Sequence, residues 1–348
     1  MIFDGCYLIL AQSGMKKIGF GLLIAILAVA LACNRDPFRV NVSSVKAEVN
    51  ISRFEIELFS ADPSALEAYI PKWKNEYGVF LQHFSQILNL GSIDDPGFPD
   101  RLRLFVTDHS NYQLYNRTMQ IFPDLDTFNI ELTGAFRHYH YYFPGKPIPR
   151  IITYISGLNQ SAITDDSIMA VGLDRYLGKN EEIYRESGIY QYLLPNMQPG
   201  KLVSDCMQFW GETEFPFNDS VNNLIGNMIY RGRLLYFTHA MLPDQPDSLN
   251  WGFPQKSLDY LRENEKSMWT YLVEKKLLFK TDRFTIDKFI LEGPFTKDFG
   301  RESPARAAMW IGYRIVQSYV SKNPEVTFQQ LMTEDNYMKI LNMSAYNP

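Results

Sequence analysis

Cysteine is the scarcest informative residue: 348 residues hold three, Cys6, Cys33 and Cys206. Two of them belong to the N-terminal apolar segment or its end. Cys206 therefore stands alone in the body, where no disulfide can close within the chain and no cysteine metal site can be assembled. Histidine is nearly as sparse. The five are His83, His109, His138, His140 and His239, and none forms H-x-x-x-H, which removes the helical two-histidine site of a zinc peptidase. His138 and His140, two apart, would share one face of a strand, but no third ligand accompanies them. No G-x-S-x-G occurs, so a hydrolase nucleophile elbow has no support. A basic excess is missing too: 34 Lys and Arg against 39 Asp and Glu leave a net charge of −5. That balance offers no electrostatic basis for binding nucleic acid or an anionic membrane surface. Internal repeats, low-complexity tracts and a second long apolar run are also absent.

What is present begins at the N-terminus. Fifteen uncharged, mostly apolar residues from Ile18 to Ala32 follow Lys16-Lys17. About 20 are needed to span a bilayer, so the run reads as a secretory signal and not a membrane helix. Ala30-Leu31-Ala32-Cys33 resembles a bacterial lipobox, with Ala30 standing where the pattern prefers leucine; an ordinary signal with a chance cysteine is the alternative. Residues 1–14 add an acid and a second apolar patch, so Met15 is the better start of translation. The expected organisation is a signal peptide over 1–32, a lipidated polar tether over 33–47 starting at Cys33, and one domain over 48–348. Removing Lys16, Lys17 and Asp4 with the leader takes the net charge from −5 to −6.

A hydrophobic content of 46% with 14% aromatics is ample for a packed core. Alternation predicts a strand over Val49–Leu58, with a slip near Arg53. Leu66 to Leu88 recurs at helical spacing, Pro71 marking a break between two helices and Gly91 a stop. Leu102–Val106 reads as a strand and Asn111–Phe122 as a short helix. Ile151–Ile155 and Ile168–Asp174 read as strands, the second buried on both faces. Beyond residue 200 the pattern is helical: a face of Leu202, Val203, Cys206, Phe209 and Trp210; a longer helix over Asn222–Met241; another through Leu258, Leu261, Met268, Trp269 and Leu272. Ser303-Pro304 has the form of a helix start, and the small residues of the helix that follows imply close packing. Phe328–Met332 is a last short helix. The expected fold class is α+β, a small N-terminal mixed sheet with a predominantly helical C-terminal half.

Few side chains announce chemistry. Gly172–Lys179 has five residues between its glycines where a phosphate loop needs four, and Asn180 follows the lysine. Asp165-Asp166, Glu181-Glu182 and Glu212 with Glu214 read as turn or helix-end charges, and Cys206 as a packing residue. Asp174, ending a buried strand beside Arg175, either caps a turn or serves a site.

Several stretches taken in order, "TYISGLN", "GLDRYLGK", "VSDCMQFW", "NMIYRGRLLYFTHAMLP", "NEKSMWTYLVEKKLLF", "GPFT", "SPARAAMWIGYRIVQSY" and "SAYNP", resemble the gliding motility-associated lipoprotein GldB family of Bacteroidota. The resemblance spans essentially the whole mature chain and includes the leader ending at Cys33. It implies a cell-envelope lipoprotein, facing the periplasm, needed for surface gliding alongside the motility and secretion apparatus, with no catalytic activity and no cofactor. The family is also distantly similar to zincin-type peptidases. On that likeness HExxH would fall at Asp205–Phe209 and the later glutamate at Arg231, so Asp205, Cys206, Phe209 and Arg231 replace the metal-binding set. Phenylalanine cannot ligate zinc and arginine would repel it. What remains is an expected metal-free cleft or partner-binding surface lined by Asp174, Asp205 and Arg231. Two other readings stay open: a metallopeptidase-like hydrolase with an unusual site, and a glycan- or nutrient-binding lipoprotein using the aromatic stretch 136–143.

Overall fold

A computed structural model of the protein describes residues 36–348; the leader, the Met15 start and Cys33 lie outside the described residues. The chain divides into two units, Met1–Asn41 and Val42–Pro348. In the described part of the first, Asp36 organises a turn by accepting from the Phe38 amide at 3.0 Å.

The elements of the second unit, in order, are β1 (Ile51–Arg53), α1 (Phe54–Ser60), α2 (Leu66–Tyr77), α3 (Val79–Ile87), α4 (Phe98–Thr107), α5 (His109–Ile121), α6 (Asp126–Tyr142), β2 (Arg150–Tyr154), β3 (Ala162–Asp165) and β4 (Ile168–Gly172). There follow α7 (Glu182–Glu186), α8 (Leu202–Glu214), α9 (Leu224–Met241), α10 (Asp247–Asn250), α11 (Gln255–Glu263), α12 (Glu265–Glu274), α13 (Arg283–Ile290), α14 (Ala307–Lys322), α15 (Phe328–Thr333) and α16 (Tyr337–Ser344). The architecture is α+β as expected, with one small mixed sheet, and six helices precede β2. The strands run in the order β1-β2-β4-β3. β1, β2 and β4 are parallel, with Ile51 opposite Ile151 and Ile151 opposite Met169; β3 returns antiparallel to β4. β2 and β4 are buried along almost their whole length, as near-continuous apolar runs in a covered parallel sheet should be.

Several expectations are corrected by packing. The strand expected over Val49–Leu58 stops at Arg53, where the alternation slipped. From Phe54 the one-turn spacing of Phe54 and Leu58 wins, because both enter the core from a helix. Phe54 meets Trp73, Tyr77, Phe80 and Phe84 edge-on, at centroid distances of 4.9–5.6 Å. Pro71 does not break its helix: it sits on the exposed side of α2, where water can satisfy the freed carbonyl, while Leu66, Ile70, Trp73 and Tyr77 hold the buried stripe. The break comes at Gly78, at φ +44°. Leu102–Val106 is helical, within α4, since Phe98, Leu102 and Val106 form a four-residue stripe into the same core. His138 and His140 lie on α6, not a strand. The Leu258–Leu272 helix is two, α11 and α12, divided at Asn264. Ser303-Pro304 starts no helix; α14 begins at Ala307 after Arg306 turns through the left-handed region at φ +57°. A further helix, α16, follows Phe328–Thr333.

The helical half is built on α9. Fifteen of its 18 residues are buried, so it is apolar all round, as a helix enclosed by others must be. Its principal partner is α14, whose small residues do pack closely. α8, α6, α15 and α16 enclose the rest.

Candidate functional site

In a parallel sheet, side chains gather for chemistry at the carboxyl ends of the strands. Here that edge holds two buried carboxylates. Glu55, just past β1, accepts from Thr153 Oγ1 of β2 at 2.7 Å and from Arg53 Nε at 2.7 Å. Arg53 also donates to the carbonyls of Phe122 and Pro123, 2.8 and 3.1 Å away. Asp174, two residues past β4, accepts from the amide of Ser156 (2.9 Å), its hydroxyl (3.0 Å) and the amide of Leu158 (2.7 Å). The segment it holds turns through the left-handed region at Gly157 and Leu158, φ +63° and +62°, which costs the glycine nothing but strains the leucine. A β-carbon on Gly172 would lie 2.6 Å from the Gln160 carbonyl oxygen, so the turn closes directly over the strand end.

Burial pushes both carboxyls up from the usual range near 4, against the hydrogen bonds that favour their charged forms. Each is fully enclosed. With every strong donor committed to backbone or neighbouring strands, this edge pins β1, β2 and β4 together. Asp174 thus takes the turn-capping role.

The three residues expected to line a cleft serve three different joints. Asp205, in the first turn of α8, accepts from Tyr176 Oη at 2.9 Å and pairs with buried Lys201, whose ammonium also reaches Ser204 Oγ at 3.0 Å. Arg231 pairs with Glu212 at 2.5 Å, tying α9 to α8. Asp174 faces the Ser156–Leu158 turn. Between Asp205 and Phe209, Cys206 is fully buried, and burial pushes its thiol far above the usual range. Among the described residues, no three of His, Cys, Asp and Glu gather so as to hold a metal ion. His138 and His140 point to opposite sides of α6, as two residues 200° apart on a helix must. His138 Nδ1 lies 3.1 Å from the Gly134 carbonyl, whereas His140 contacts the carbonyls of Lys46 and Lys146, each at 2.9 Å.

An open cleft lies elsewhere. A cavity of about 480 Å³ runs between α6 and the segment joining α9 to α10. Glu131, Gly134 and His138 line it from α6 at three- and four-residue spacing, with Met241, Asp244 and Leu249 opposite. A β-carbon on Gly134 would meet nothing within 4 Å, so this helix face looks onto empty space. Its walls are held: Asn250 Nδ2 donates to the carbonyls of Leu242 (3.0 Å) and Gln245 (3.2 Å), and Gln245 reaches Gly200 at 2.9 Å. A preformed, largely apolar groove with a few polar groups suits a short peptide or one large side chain. Sequence reading named His138 but on the wrong element, and missed Glu55 and Gly134. A helical count over Phe128, Leu132, Ala135, Phe136 and Tyr139 would have exposed α6 and the cleft face beside it.

A family model described as "Gliding motility protein GldB" matches residues 35–348. No curated protein and no solved structure matches the chain.

Proposed function

The chain belongs to the gliding motility protein GldB family, and from that premise we propose that it is a lipid-anchored envelope protein that serves gliding without catalysis, by contact with proteins of the motility and secretion apparatus. The family match carries this reading. The lipobox-like Ala30–Cys33 supports an anchor at Cys33 with the body facing the periplasm; none of the helices described is long and apolar enough to cross a membrane. The full enclosure of Glu55 and Asp174 and the commitment of Asp205 and Arg231 to helix joints favour contact over chemistry. The cleft beside Gly134 is the surface we assign to a partner's segment.

Deletion of the gene, with complementation by the wild type and by Cys33→Ala, tests the proposal. Deletion should abolish colony spreading, and Cys33→Ala, released from the membrane, should fail to restore it. Spreading unaffected by deletion would refute the gliding role. Stoichiometric zinc in the purified protein, lost in Asp205→Ala, would instead favour a metallopeptidase-like site.

A further inference from the structure

Residues 273–291 carry four of the 13 large apolar side chains exposed among the described residues, namely Val273, Phe279, Phe284 and Leu291. Such a concentration in 19 residues calls for a cause beyond ordinary surface composition. Phe284 is 81% exposed and Phe279 58%. The segment is also basic. It holds Lys275, Lys276, Lys280, Arg283 and Lys288 against Glu274, Asp282 and Asp287, a balance of +2, or +1 once Asp298, the partner of Lys288, is counted, on a chain of −5. Arg283 pairs with Asp287 at 2.7 Å, Lys288 pairs with Asp298 at 2.5 Å, and Asp282 caps α13 through the Thr285 amide at 2.9 Å. Lys275, Lys276 and Lys280 are exposed and form no salt bridge with another described residue, although Lys280 lies near enough to Asp282 to help the Thr285 hydrogen bonds hold its carboxyl below the usual range.

The phenylalanines are held outward by structure. The carbonyls of Leu278 and Lys280 accept from the Ile225 and Leu224 amides, at 2.8 and 3.0 Å, closing the open N-terminus of α9. Leu278 is thereby turned into the core and Phe279 away from it. On α13, Ile286, Phe289 and Ile290 face inward while Phe284 is exposed, and Leu291, the extended residue that ends the helix, is exposed as well.

We propose that this surface docks on an anionic membrane surface, with Phe279 and Phe284 entering the headgroup boundary and Lys275, Lys276 and Lys280 meeting lipid phosphates. The inference rests on the lipid-anchored reading above. Lysine is depleted at protein–protein interfaces, whereas aromatic residues flanked by lysine typify segments that lie in a lipid interface. Net charge alone argued against an anionic membrane surface; the local excess reverses that at this face. Chain length favours it too: eight residues lie between Cys33 and Val42, nine residue steps in all. They extend at most about 30 Å, so an anchored body is always at high effective concentration over the bilayer.

The test uses the full-length lipidated protein reconstituted in vesicles. With Cys33 lipidated and Cys206 buried, an environment-sensitive label added to Phe284→Cys reports that position alone. In phosphatidylcholine vesicles containing phosphatidylglycerol, its emission should shift to the blue and be quenched by brominated lipid. A label at Leu104→Cys, 71% exposed on α4, should stay aqueous. Replacing Lys275, Lys276 and Lys280 by alanine should weaken docking about a hundredfold, near fivefold per lysine. A label at 284 that stays aqueous in all vesicles, or responds no more than the one at 104, overturns the proposal. So does a response that needs an added protein and is indifferent to lipid charge. Flotation of the protein with the vesicles is read separately; if it persists while the label stays aqueous, docking fails and the anchor stands.

Discussion

Gly232 of α9 and Gly312 of α14 meet backbone to backbone. A β-carbon on Gly232 would lie 2.2 Å from the Gly312 carbonyl carbon, and one on Gly312 would lie 1.8 Å from the Met228 carbonyl oxygen. No side chain stands between the helices at this crossing, so nothing there can yield to added volume. Gly232, the neighbour of the Arg231 that the zincin likeness set at the later glutamate, therefore owes its place to helix packing.

Gly312→Ala should be among the most damaging single-methyl changes in the chain. Overpacking usually costs about 1–3 kcal/mol where side chains can shift; with backbone as the only neighbour, the upper end or beyond is expected. Urea unfolding should show a large fall in midpoint at unchanged slope. A midpoint within error of wild type would mean the helices are farther apart than described.

Arg233, next to that crossing, is buried and donates through Nη1 to the carbonyls of Leu331, Met332 and Glu334 at 2.9–3.0 Å. It also stacks over Tyr337, 5.1 Å from the ring centre. One guanidinium thus satisfies the C-terminal carbonyls of α15 and fixes α16. Arg233→Leu leaves those carbonyls unpaired, at about 1–3 kcal/mol each where water cannot reach. Hydrogen exchange should quicken selectively over 328–344. Uniform protection across the chain would count against this pin.

Asp174→Asn replaces one accepting oxygen by an NH2 group that faces the donors of Ser156 and Leu158. A loss of about 2–4 kcal/mol is expected, from an unmade buried hydrogen bond and release of the left-handed Leu158. Glu55 and Asp174 also set a pH dependence. Burial raises both in the folded state, so folding favours their protonated forms. Their contribution is full below the unfolded values near 4 and is lost as pH rises through the folded-state values. Urea midpoints of wild type minus Glu55→Gln, measured from pH 4 to 7, should therefore fall with rising pH. A difference that rises over that window would place the folded-state pKa of Glu55 below its unfolded value.

Legibility in the sequence followed the range of the forces involved. β2 and β4 were readable because strands buried on both faces are continuously apolar, α8 because its apolar face runs for several turns, and α9 because its apolar run is too long for a strand. Phe54–Leu58 was not, since five residues satisfy either period and only the four surrounding rings decide between them. Glu55 looked like the outward position of a strand for the same reason. His138 and His140 misled because a spacing of two has meaning only once the element is known. Asp174 was recognisable as a strand-end acid, but its turn-clamping role depends on Ser156 and Leu158 across the sheet, and the three contacts of Arg233 lie about 100 residues away.

The cleft yields the sharpest separation of fold from function. Gly134 is an interior residue of α6 with open space where its side chain would be. Gly134→Trp should therefore fill the groove without strain, and stability should hold or rise by about 0.5 kcal/mol as the helix loses a glycine. If a partner's segment occupies this groove, colony spreading should fall to the level of the deletion strain while urea midpoint and membrane fractionation stay at wild-type values. Glu131→Lys, at the rim and exposed, supplies an independent arm, reversing the charge that a basic partner segment would meet. Full spreading with both variants would assign partner contact to another surface and leave the cleft a packing consequence of Gly134.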